Sequence, residues 1–223
     1  MRVLTYNIRA LRDDRSAVIR VITACRPDLV CLQEVSRFLG WRSRRAALAA
    51  DTGLLLATGG RIGGLAVLYA PRVQVIATEH YELTRIPGLH RRALSVVVAE
   101  ADARRLVVGC THLDLVPEAR RKHAEEIVTL LTEAGDAYGG KVVLAGDFNE
   151  GPDGAAWRRI AELYPDTCPA AGPTFPSHNP SRRIDTVFAD PALPIRSAGI
   201  PPEPDPADLP AATDHLPVLT ELA

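Results

Sequence analysis

The sequence predicts an α/β protein in which two mixed β-sheets pack face to face with helices outside. Three observations carry this. Apolar runs of strand length recur along almost the whole chain. Helix-length segments with one apolar face separate only some of them. Several strand runs in the middle follow one another with no helix between. Strand–helix–strand implies a parallel pair and strand–strand an antiparallel one, so both pairings belong in the sheets.

In chain order, "RVLTYNI" (2–8) is the first strand. "SAVIRVITACR" (16–26) sets Val18, Ile19 and Ile22 on one face as a helix, and "DLVCLQEV" (28–35) returns as a strand, so residues 2–35 form a βαβ-like unit. "LAVLYA", "VQVIATE", "ALSVVVAEA" and "RLVVGCTHL" (within 65–113) are strands that look antiparallel. "PEARRKHAEEIVTLLTEAG" is a helix with Pro117 in its first turn and Gly135 at its end. "KVVLAGDFN" (141–149) is a strand, "GAAWRRIAELY" (154–164) a helix, and "DTVFAD" and "LPVLTEL" are the last strands. The Pro-rich, acidic "GIPPEPDPADLPAAT" (199–213) reads as a loop, because a strand still has to return to the core after it. One domain over 1–223 is expected; 223 residues suffice for one sizeable core.

The composition, 47% hydrophobic and 24% charged, is that of an ordinary globular chain. The start "MRVLTYNIRA" has no apolar signal-peptide core, and no run approaches the roughly 18 apolar residues of a membrane span. A cytoplasmic monomer is expected. Cys25, Cys31, Cys110 and Cys168 form no CxxC pair and read as free thiols. The net charge of −1 excludes the global footprint of a protein that coats nucleic acid. The basic charge is nearly all Arg, clustered at 42–45, 91–92 and 182–183, where local anion-binding faces can form. Trp41, beside Arg42, is read as packing.

Function enters at the ends of the strands. "LTYN" ends at Asn7, "LVCLQE" at Glu34, "VVGCTH" at His112 and "VVLAGDFN" at Asp147 and Asn149; Asp185 precedes "TVF", and Asp214 and His215 precede "LPVL". Any one of these suits a loop contact or a satisfied core group. Together, on one rim of a sandwich, they supply the oxygen ligands that Mg²⁺ or Mn²⁺ prefers and imidazoles for proton transfer. The lack of a Cys/His cluster speaks against structural zinc.

The ordered set "TYNIR", "PDLVCLQEV", "RRAL", "THLD", "GDFNEGP", "RRIDTVF" and "TDHLPV", from residue 5 to 218, resembles the endonuclease/exonuclease/phosphatase superfamily, with its DNase I-like and apurinic-endonuclease-like enzymes. The resemblance implies a four-layer α/β sandwich and a Mg²⁺- or Mn²⁺-dependent phosphoesterase. It implies Glu34 as principal metal ligand with Asn7 and Asp214 near the metal, and Asp185 holding His215 for work on the attacking water. Asp147 and Asn149 would position water or a phosphate oxygen, His112 would stabilise phosphoryl charge, and Arg91, Arg92 and Arg183 are the expected phosphate-binding arginines. Whether Asp147 or His215 is the base stays open. Departures are Leu65 after Gly64, where small bacterial members often have Asn, and His123, where Gln is common; His123 is read as a surface or packing residue. No match to the substrate-contacting Tyr of the apurinic endonucleases is found, nor long DNA-gripping insertions.

A small or short phosphate ester, or a nucleic-acid end, is favoured as substrate. The low net charge and the acidic loop with Glu203, Asp205 and Asp208, which enters just before Asp214 and is expected to repel a polyanion, both argue against bulk duplex. The alternatives are an endonuclease on duplex DNA or RNA, and an inactive binding domain on the same fold, which would lack metal or base residues.

Overall fold

The computed structural model describes residues 1–58, 60–101 and 103–223. β1 (Arg2–Asn7), α1 (Arg15–Cys25) and β2 (Leu29–Gln33) form the expected βαβ unit, with β1 and β2 parallel. The Asp14 carboxylate caps α1 by accepting from the amides of Ser16 and Ala17 at 2.8 and 3.1 Å. Next come α2 (Trp41–Asp51), β3 (Leu55–Thr58), β4 (Ala66–Tyr69), β5 (Gln74–Glu82), β6 (Ala93–Ala101) and β7 (Arg104–His112). α3 (Pro117–Tyr138), β8 (Lys141–Asp147), α4 (Ala155–Ala161), β9 (Asp185–Ala189), β10 (Ile195–Gly199), α5 (Asp208–Ala212) and β11 (Val218–Leu222) complete the chain.

One sheet has six strands in the order β10-β11-β1-β2-β4-β3, the other five in the order β5-β6-β7-β8-β9, and both are mixed. Three apolar cores separate the layers. The middle core joins the sheets through Val3, Leu29, Val67, Val97, Val108 and Val143. One outer core packs α3 and α4 on the second sheet through Val96, Leu131, Leu144, Phe148 and Trp157. The other packs α1 and α2 on the first sheet through Leu4, Tyr6, Val18, Ile22 and Leu48. Helix, sheet, sheet, helix is the expected four-layer sandwich.

Departures from the sequence reading have local causes. α3 runs past Gly135 to Tyr138 and stops at Gly139, whose φ of +61° leaves the helical region. Gly135 instead lets helix and sheet approach, since a Cβ there would lie 3.1 Å from Val142. α2, α5, β3 and β10 escaped the reading: α2 is rich in Arg and Ala with few large apolar residues, and β3 and β10 are edge strands with exposed side chains. His123 is a packing residue, 2% exposed, with Nε2 on the Thr84 carbonyl at 2.9 Å. Trp41 packs under the guanidiniums of Arg42 and Arg45. All four cysteines are free. Among the described residues no helix is long and apolar enough to cross a membrane.

The acidic segment is not where it was expected. Glu203 pairs with Arg2, at the start of β1, while the polar strand ends gather where β1 finishes at Asn7. Asp208 pairs with Arg20 on α1, and Asp205 caps its own turn. None of the three lines the cavity described below, and all three carboxylates are engaged elsewhere, so they do not guard it against a polyanion.

Candidate active site

Strand register assembles the site. β1 and β2 are parallel with Asn7 opposite Gln33, so Asn7 and Glu34 leave the first sheet together. β7 and β8 are parallel with His112 opposite Asp147, and β9 runs antiparallel to β8 with Asp185 opposite Asp147. The start of β9 and the ends of β7 and β8 therefore meet on one rim. Asp214 and His215 reach that rim just ahead of β11. Gly146 permits this convergence: a Cβ there would stand 2.4 Å from the Thr111 carbonyl oxygen of the neighbouring strand, which no side chain can do.

The polar groups form one connected set. His215 Nδ1 lies 3.1 and 3.0 Å from the two Asp185 oxygens, and the Thr174 hydroxyl donates to the same carboxylate at 2.6 Å. Because a carboxylate only accepts, Nδ1 carries the proton, and Nε2 faces the cavity side. The Asn7 amide donates to Asp147 Oδ2 at 3.0 Å and Glu34 Oε1 at 3.2 Å, and lies 3.4 Å from His215 Nε2. Its oxygen accepts from the Arg9 amide at 3.1 Å, which fixes its orientation. Asp147 Oδ1 accepts from the Asn149 backbone at 2.9 Å, and the Asn149 amide donates to His112 Nε2 at 3.1 Å and to the Leu113 carbonyl at 3.0 Å. Asp214 pairs with Arg9 at 3.5 Å.

The backbone is strained at this rim. Glu34 and Asn149, each following its strand, both have φ of +53°, and Arg9, Ala10 and Leu11 have φ of +43°, +55° and +56°. These are left-handed values that non-glycine residues seldom adopt. The Ala10 amide donates to the Glu34 carbonyl at 2.8 Å and holds the two strained segments together. Such clustering marks sites whose surroundings over-determine the backbone.

The imidazoles are driven in opposite directions. For His112, burial is the largest influence and, with the nearby cations Arg92, His215 and Arg37, lowers its pKa to about 3 against the pull of Asp147. It is a neutral hydrogen-bonding group. For His215, burial alone would lower the pKa, but Asp185, Asp147 and Asp214 together raise it to about 9. Asp147 is raised, by burial first and then by the Asp185 charge.

A stability prediction follows for protein in chelator. His215 sits above its ordinary 6.5, so its contribution is complete below pH 6.5 and is lost as pH rises through about 9. His112 sits below 6.5, so the unfolded chain binds its proton first and stability is lost as pH falls from 6.5 towards about 3. Melting temperatures across pH should show His215→Asn flattening the alkaline limb and His112→Asn the acid limb. The reverse pattern, or no change in either limb, would refute the assignment.

A cavity of about 600 Å³ opens over this set. Glu34, His112, Asp147, Asn149, Asp214 and His215 line it, so six of the eight expected catalytic and metal residues face one space, while Asn7 and Asp185, each 1% exposed, stand behind them. Of the expected phosphate-binding arginines only Arg92 lines it, 8% exposed and 3.4 Å from Asp114. Arg91 and Arg183 are corrected: Arg91 pairs with Glu82 on the outer surface, and Arg183 is held by Asp166 at 2.7 Å and stacks on Trp157. One member of each Arg pair lines the cavity, Arg92 and Arg182. The reading missed Arg12, Arg37, His90 and Phe175 as cavity residues, and weighed Arg44 and Arg182 only as members of clusters.

The donor set suits a hard divalent ion. Asp147, Asp185 and His215 each offer a ligand atom, all within 4.8 Å of one another, and Glu34 is joined to Asp147 through the shared Asn7 amide. Carboxylates crowded this closely favour a cation between them. The Asn7 oxygen, the atom a cation would take, is engaged by the Arg9 amide.

The comparisons with known proteins identify a family and a fold. The model of the Endonuclease/Exonuclease/phosphatase family matches residues 4–215. No curated protein matches the chain by sequence. Among solved structures, an endonuclease/exonuclease/phosphatase from Bacteroides vulgatus is similar at 22% identity and TM-score 0.80, covering 100% of this chain and 98% of that one. The mannosyl-6-phosphatase of Bacteroides thetaiotaomicron VPI-5482 is similar at 18% and 0.81, covering 100% and 99%. The human Nocturnin catalytic domain is similar at 17% and 0.78, covering 100% and 93%. At these identities the likeness is one of fold.

Proposed function

The chain belongs to the endonuclease/exonuclease/phosphatase family, whose members hydrolyse phosphoester bonds, and from that premise we propose that it is a Mg²⁺- or Mn²⁺-dependent phosphoesterase acting on a small or short phosphate ester. The observation that carries this is the hydrogen-bonded set Asp185–His215–Asn7–Asp147–Asn149–His112, four of whose members line a single cavity while Asn7 and Asp185 stand behind them.

The residues divide the work by their chemistry. Glu34 and Asp147, with Asp214 beside them, would hold the ion, which supplies neutralisation of charge growing on the phosphoryl oxygens. Asp185 fixes the tautomer of His215, leaving Nε2 to move a proton at the reacting oxygens. Asn149 and neutral His112, now hydrogen-bonded to each other, would turn to the phosphoryl group without adding charge when substrate binds, and Arg92 adds a buried cation for phosphate. Asn7 keeps Glu34 and Asp147 in register.

Asn149→Ala and His112→Ala should each lower kcat by ~10²–10³, the usual loss for one preorganised transition-state contact. Steady-state kinetics with circular dichroism as a fold control measures it, and a loss under about threefold would remove the residue from this role.

The activity itself is tested with generic phosphate monoesters and diesters, a panel of nucleotides and sugar phosphates, and plasmid DNA, each with Mg²⁺ and with chelator. Phosphate release from members of the panel, abolished by chelator, is expected. Plasmid nicking that falls steeply with salt, with no release from the panel, would replace this reading by a duplex endonuclease.

A further inference from the structure

Charge is distributed unevenly in the cavity. Of its lining acidic groups, Glu34 and Asp147 are the carboxylates that would hold the divalent ion, and Asp214 is paired with Arg9; Arg92 is paired with Asp114. On its walls stand Arg12, Arg37, Arg44 and Arg182, all exposed, and among the described residues none of the four has a carboxylate partner. Elsewhere on this surface arginines are commonly paired: Arg2, Arg20, Arg91, Arg105, Arg159 and Arg196 each hold a carboxylate. Four uncompensated guanidiniums exceed what one phosphate dianion, with its ion already balanced by carboxylates, would neutralise.

Two of the four come from one short stretch. Arg37 follows Glu34 by three residues on the loop after β2, and Arg44 lies in the first turn of α2. Arg37 has a built seat. Gly64, at φ +65°, lies against its stem, and a Cβ there would stand 3.3 Å from Arg37 Cδ and 3.6 Å from its Nε. Gly63 and Gly64 line the same cavity, so the arm lies along the cavity wall. This wall belongs to the first sheet, whereas His112, Asn149 and Arg92, the contacts for the reacting phosphoryl group, belong to the second.

We propose that Arg37 and Arg44 form a second phosphate subsite, and that the substrate is a small ester carrying two phosphates, one hydrolysed over Asp147 and His215 and the other held on the wall formed by residues 37–44. This rests on the phosphoesterase reading above and narrows its substrate class. Arginine suits the task because its planar fork takes two phosphate oxygens at once. A neighbouring phosphate of a nucleic-acid chain offers the same chemistry, and the experiment separates the two sources.

Binding is measured by calorimetry in chelator, so that no turnover intervenes. Fructose 1,6-bisphosphate and glucose 1,6-bisphosphate are each compared with the corresponding 6-phosphate, and with a short single-stranded oligonucleotide. At least one bisphosphate should bind about tenfold or more tightly than its 6-phosphate. Arg37→Ala and Arg44→Ala should each reduce that ratio severalfold, and Arg37→Lys should restore part of it. A ratio near one for both sugars in the wild type, or a ratio unchanged in Arg37→Ala and Arg44→Ala, overturns the subsite. An oligonucleotide that binds more tightly than both bisphosphates through the same arginines overturns the small-ester assignment. Absence of turnover on the whole phosphate panel would instead sink the activity, and these binding ratios would be read independently of it.

Discussion

His215→Ala is expected to lower kcat by several orders of magnitude, on the order of 10³–10⁴, and Asp185→Ala by nearly as much, while the double variant loses little beyond the worse single one. The reason is geometric. The Asp185 carboxylate touches His215 Nδ1 with both oxygens, and is itself 1% exposed, so it acts on the cavity only through the imidazole. Groups that work as one unit give strongly non-additive losses. Asp185→Ala also strips the Thr174 hydroxyl of its buried acceptor, so Asp185→Asn, which keeps the shape and an acceptor oxygen, serves as the control for folding. Multiplicative losses around the cycle would show that the two side chains work separately.

Glu34→Gln is expected to abolish turnover while leaving the fold unchanged. The side chain is half-buried at the cavity, outside all three apolar cores, and glutamine preserves an acceptor for the Asn7 amide. What it removes is a full negative charge where the donor set points to a divalent ion. A second readout avoids activity altogether. A ligand that binds only the folded state at ~100 times its Kd stabilises by about 2.7 kcal/mol, so MgCl₂ or MnCl₂ should raise the melting temperature of the wild type and raise that of Glu34→Gln far less. Equal shifts in both proteins, or full turnover by the variant, would remove Glu34 from the metal site.

Much of this architecture was legible because buried strands and amphipathic helices write their periods plainly. The apolar runs at 142–145 and 96–99 read as interior strands, and the βαβ unit at 2–35 followed from a helix between two strand runs. β3 and β10 lie at sheet edges, where half the side chains meet water, and their sequences carry no clear period. The polar strand ends were legible only as a set: any one of them suits a loop contact, but so many after apolar runs point to one rim, and Glu34, His112, Asp147 and Asn149 do gather on one cavity. Arginines were not legible in this way. Arg91 and Arg92, or Arg182 and Arg183, are chemically equivalent in sequence, and only the folded segments just ahead of β6 and β9 decide which one meets the cavity. Arg37 gave no signal at all, because its seat on Gly64 depends on two loops meeting.

The left-handed backbone of the rim also bears on how this sequence can drift. At Glu34, Asn149 and Arg9–Leu11 the steric cost of a side chain is roughly 1–2 kcal/mol per residue, while glycine there would cost roughly 0.5–1 kcal/mol in lost chain entropy, so glycine is the better residue for folding alone. With the metal-holding role proposed for Glu34, it is selection for chemistry that would keep a glutamate there. In descendants freed from turnover these few positions are where neutral change gains stability first, and glycine at 34 would be the fossil of a retired enzyme long before the buried strands behind it had altered.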